Sequence, residues 1–90
     1  MPRLVTRDDF QTLNALVAEA MALCEAAQEN LVGIQDDMQR AIREGRAITA
    51  AMAADEDHAR ARLFIARTRL WRRQKQLSQR VQAARLPRRA

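Results

Sequence analysis

Residues 10–41 read FQTLNALVAEAMALCEAAQENLVGIQDDMQRA, and this stretch decides the fold. Apolar residues recur in it with 3-4 spacing and no skip. One set is Phe10, Val17, Cys24, Leu31 and Met38, and the other is Leu13, Ala20, Ala27, Ile34 and Ala41. Five such pairs in phase predict a long helix that packs as a coiled coil. The second set is mostly Ala, so a neighbouring backbone can approach closely there. Leu16 and Leu23 form a third row, and Met21 widens the apolar face. Asn30 and Asp37 continue that row, which confines the extra apolar width to the N-terminal half. Gly33 lies off the seam and reads as a surface glycine, at a cost of about 1 kcal/mol against Ala.

Both ends of this helix carry signals. Upstream, Thr6-Arg7-Asp8-Asp9 fits a capping box with Asp9 in place of Glu or Gln. Val5 and Phe10 occupy the positions of a hydrophobic staple, so the helix starts near Arg7. Downstream, Glu44-Gly45-Arg46 is the break, because Gly45 can take the left-handed conformation that closes a helix. The chain then reads as one domain, 1–90: helix about 7–44, turn about 45–48, helix about 49–86, basic tail 87–90. Pro87 stops the second helix. Asp55, Glu56 and Asp57 leave a second option, a fresh helix start near Ala54–His58.

The second helix has its own stripe: Met52, Ala59, Leu63, Ala66, Leu70, Leu77, Val81 and Ala84. A short turn makes the two helices antiparallel neighbours, with residue i facing roughly 94 − i. The fold class is thus all-α, a long antiparallel helical hairpin of coiled-coil type. In outline this is similar to helical-hairpin secretion chaperones and export-apparatus stalk proteins. It departs from the secreted hairpins with Trp-x-Gly at the turn, because the turn here is Glu44-Gly45-Arg46 and Trp71 lies inside the second helix.

Charge is divided along the chain. Residues 1–57 hold all eleven acids and five Arg, a net −6, whereas residues 58–90 hold eleven Arg or Lys and no acid, a net +11. Under the facing rule Glu25 and Glu29 fall near Arg67 and Arg69, Glu19 near Lys75, and Asp8 and Asp9 near Arg85. Pairing across the hairpin is expected to absorb much of the division. Each exposed pair contributes about 0–1 kcal/mol, so such pairs set register more than stability.

One hairpin has one seam and no second layer. Leu16, Leu23, Phe64 and Trp71 lie beside that seam, where Leu23 falls near Trp71 and makes one apolar patch with it toward the open end, and the four are the candidate partner-binding residues. A scaffold this small without a disulfide or metal needs a partner or oligomerisation. A homodimer forming a four-helix bundle, or docking on a partner helix, is therefore expected. Arg62, Arg69, Arg73 and Arg80 line one flank of the second helix and form the candidate basic face. Arg60, Arg67 and Lys75 lie on the other flank with Phe64 and Trp71, and Arg85, Arg88 and Arg89 close the chain.

Other chemistry finds little support. One Cys excludes a disulfide scaffold, and one Cys with one His excludes a structural zinc site. Cys24 reads as a buried seam residue, His58 with Asp55 as a solvated cluster, and Ser78 has no base within helical reach. Phosphate loops and nucleophile–base pairs are missing, so a non-enzymatic protein with no cofactor and no small-molecule substrate is expected. No apolar run is long enough for a membrane span, and the first residues lack a signal-peptide core, so the expected compartment is the cytoplasm. The leading reading is a protein–protein interaction module: a small adaptor, chaperone or assembly factor. The alternative is sequence-independent nucleic-acid binding through the arginine-rich second helix.

Overall fold

The computed structural model describes residues 7–85, and the side chains of residues 9–84. The cap and staple at Val5 and Thr6, the Asp8–Arg85 pairing and the tail from Leu86 to Ala90 lie outside the described residues. Two helices, α1 (Arg7–Arg43) and α2 (Ala50–Arg85), pack antiparallel as a hairpin. The molecule is a rod of 72 × 16 × 16 Å with a radius of gyration of 20.2 Å. A compact chain of this length would have about 12 Å.

The turn explains why the chain reverses where it does. Gly45 has φ = 71°. Its N–H donates to the Ile42 carbonyl at 3.1 Å, and the Arg46 N–H donates to the Ala41 carbonyl at 2.8 Å. These two bonds form a Schellman closure, which satisfies carbonyls that the last turn of α1 would leave free. Glu44 is consequently the cap rather than the last helical residue, and α1 ends one residue short of the expected limit. Glu44 also holds Arg46 in an exposed ion pair at 2.6 Å. Thr49 opens α2, where its Oγ1 accepts from the Met52 N–H at 3.1 Å and its carbonyl accepts from the Ala53 N–H at 3.2 Å.

From there α2 runs unbroken through Asp55–Asp57, so the fresh helix start is not seen. Glu56 pairs with Arg60 one turn on, which supports the helix at that point. The core is small and lies on the predicted seam. Leu31, Ala59 and Leu63 are buried together, with Ala27 and Ile34 packed against them, and Ala20 and Ala41 are buried along the same line. Ala41 and Ala59 are each 1% exposed, as close backbone approach at alanines requires. Larger seam residues such as Leu13, Val17, Leu70, Leu77 and Val81 are only half-covered, and Ala84 is exposed. Cys24 is half-buried rather than buried, because it stands where the seam opens onto a groove.

Candidate functional site

Two cylinders in contact leave a trough on each side of their seam, and here the two troughs differ in chemistry. On one side, small residues at Ala20, Ala26, Ala27 and Ala66 hollow out a groove of about 830 Å³. Leu16 and Leu23 add apolar surface from α1, and Ile65 adds it from α2. Leu23 and Ile65 remain half-exposed, at 49% and 50%. The α2 wall is a row of guanidinium groups: Arg62, Arg69, Arg72 and Arg73. Arg73 donates to Gln76 Oε1 at 3.3 Å, which orients one member of the row. Among the described residues, Glu19 is the one acid lining the groove.

The opposite trough is smaller and more open to solvent. Cys24, Glu25, Gln28 and Glu29 line it from α1, and Leu63, Arg67 and Leu70 from α2. Arg67 Nη2 donates across it to Gln28 Oε1 at 3.1 Å. This bond is one residue away from the expected register, so the levels along the axis are as the facing rule gives them. Beyond this trough stand Phe64, 72% exposed, and Trp71, 58% exposed. The Lys75 ammonium lies 4.9 Å from the Trp71 ring centroid.

The candidate residues therefore separate. Leu16, Leu23, Arg62, Arg69 and Arg73 come together in one groove. Arg80 is exposed on the same side of α2, two turns beyond Arg73 and past the groove's lining. Phe64 and Trp71 do not line it, and the single patch expected of Leu23 with Trp71 does not form. The two residues share a level but not an azimuth. At about 100° per residue, Trp71 and Phe64 lie roughly 120° round α2 from its seam, on the side away from Leu23. Ile65 and Arg72 belong to the groove and were not singled out from the sequence. A helical projection of α2 shows them, because both fall on the same side as Arg69.

The charge division also resolves differently from expectation. Glu25 and Glu29 do stand in one trough with Arg67, but Arg69 faces the other way. Among the described residues, Asp9 aside, the ion pairs lie within the turn, Glu44–Arg46, or within α2, Glu56–Arg60. The arginine row beside the groove thus keeps its charge available. Chemically, an apolar trough beside planar guanidinium groups can accommodate an apolar edge flanked by anionic oxygens. Asp55, His58 and Ser78 are all exposed.

Among the described residues, no helix is long and apolar enough to cross a membrane. Neither a family model, nor a curated protein, nor a solved structure matches the chain.

Proposed function

We propose that this chain is a non-enzymatic helix-docking module, a small adaptor, chaperone or assembly factor whose work is binding. The observation that carries the reading is the groove, with its floor of Leu16, Leu23 and alanines and its arginine wall. The occupant that fits is an amphipathic helix with an acidic flank. Its apolar edge would bury against the floor at about 25 cal/mol per Å². Its carboxylates would meet Arg62, Arg69, Arg72 and Arg73. The groove runs from Leu16 to Asn30 along α1, about 21 Å or four helical turns of contact.

Pairing of two hairpins into a four-helix bundle belongs to the same reading. The chain exposes 7540 Å², against about 5400 Å² for a compact protein of its mass. A second reading rests on the same arginines, which have the sequence-independent, salt-sensitive character of a phosphate-binding row.

Fluorescence anisotropy with three probes separates these. The probes are a labelled acidic amphipathic peptide with a leucine edge, the same peptide with its acids changed to lysines, and a random DNA duplex. The acidic peptide should bind, its lysine twin should not, and Ile65→Glu or Arg69→Glu should abolish the binding. Tight duplex binding that weakens steeply from about 50 to 200 mM salt, with no peptide binding, would transfer the groove to nucleic acid.

A further inference from the structure

We infer that a second copy of the chain docks on the side bearing Phe64 and Trp71, with the two hairpins lying turn beside turn. This rests on reading the chain as a hairpin that pairs into a four-helix bundle; helix docking in the arginine groove stands apart from it.

The first ground is apolar exposure. Besides Phe64 and Trp71, Met21 and Val32 of α1 are large apolar residues left in solvent. At about 100° per residue both project to the side of the shallow trough, away from the arginine groove. By register, Met21 stands level with Trp71, and Val32 level with Phe64. Two apolar pairs therefore frame a polar centre, where Arg67 bridges to Gln28.

The second ground is charge. Two arginine grooves placed face to face would gather eight guanidinium groups around two Glu19 carboxylates. Like charges set against one another suppress that contact. The Phe64–Trp71 side carries both signs, with Glu25 and Glu29 on α1 and Arg60 and Arg67 on α2. It can meet a copy of itself, as an isologous interface must.

Symmetry then follows from the charge division. A two-fold axis across the rod would lay α1 on the partner's α1, acid against acid, and α2 on the partner's α2, base against base. A two-fold axis along the rod lays each acidic α1 on a basic α2 at the same level. Met21 then opposes the partner's Trp71, Val32 opposes the partner's Phe64, and Glu25 and Glu29 face Arg67 of the partner subunit. Every neighbouring pair in that bundle is antiparallel, as in the hairpin itself. The surface in excess of a compact chain, about 2000 Å² per copy, is enough for a standard interface.

The experiment measures mass by light scattering at several concentrations, with far-UV circular dichroism to confirm that each variant is helical. The wild-type chain should weigh twice 10.3 kDa. Trp71→Glu and Phe64→Glu should each weaken association by about thirtyfold or more, the loss expected for an aromatic anchor buried at an interface. Trp71→Gln, which removes the ring without adding charge, should act in the same direction. Ile65→Glu, in the arginine groove, should leave the dimer intact. For orientation, Ala47→Cys on a Cys24→Ser background should link two chains through a short bismaleimide, since the turns lie side by side. A monomeric wild type, a dimer broken by Ile65→Glu but not by Trp71→Glu, or turns that fail to link would overturn the inference. None of these outcomes touches the acidic-peptide experiment, whose failure would instead remove the groove reading.

Discussion

The half of the rod near the turn and the half near the chain ends are built from the same heptad pattern but are held together differently. Among the described residues, four of the five buried side chains, Leu31, Ala41, Ala59 and Leu63, lie toward the turn, and only Ala20 lies toward the open end. The turn half also has both of its helix ends tied off, by the closure at Gly45 and by the Thr49 cap. Contacts there are close to the reversal, so little loop entropy opposes them. In the open half the seam residues Leu13, Val17, Leu77 and Val81 stay half-covered. Cohesion in this molecule belongs to the turn half, whereas exposed large apolar residues run along the whole rod, from Ile42 and Ile48 near the turn to Met21, Leu23 and Trp71 toward the open end.

Truncating the seam tests this contrast most strongly. Leu63→Ala should cost about 2–3 kcal/mol in urea unfolding followed at 222 nm, because it empties part of the buried cluster. Leu77→Ala, at a half-covered site in the open half, should cost less than half as much. Equal losses would mean that the two halves are equally cohesive. Next comes the reversal itself. Gly45→Ala forces a side chain into the left-handed region and should cost about 1–2 kcal/mol. Thr49→Ala removes the cap on α2 and should cost about 1 kcal/mol, with amide exchange speeding up first at the start of α2. The smallest effect has the opposite sign. Nothing lies within 4 Å of where a Cβ on Gly33 would sit. Gly33→Ala should therefore stabilise the hairpin by about 0.5–1 kcal/mol. A loss there would reveal a neighbour that the single hairpin does not supply.

Much of the fold was legible because it depends on periodicity and on one glycine. The Phe10–Ala41 repeat, the break at Gly45 and the facing rule all read directly, since each is a one-dimensional property of the chain. The site was legible only in part. Level along a helix follows from residue number, and on that basis Leu23 and Trp71 looked like neighbours. Azimuth decides which side of the seam a residue serves, and it separates Leu23 with Ile65 and Arg72 from Trp71 with Phe64. The ion pairs were misread for a related reason. Opposite charges stand at matching levels, yet Arg67 bonds Gln28 and Arg69 turns to the other trough. In a two-helix rod, long side chains have solvent on every outward side and are not forced onto one partner.

The rod shape has a consequence for anything that senses the protein's size. A radius of gyration of 20.2 Å is what a compact chain of about 340 residues would have. To a sieve, a scattering beam or a narrow channel, this chain of 90 residues presents lengthwise the reach of a far larger globule and crosswise barely more than two helices. A column calibrated on globular proteins would therefore count copies that are not there, and end-on passage through a pore would be open to it where an equally long-reaching globule would be refused.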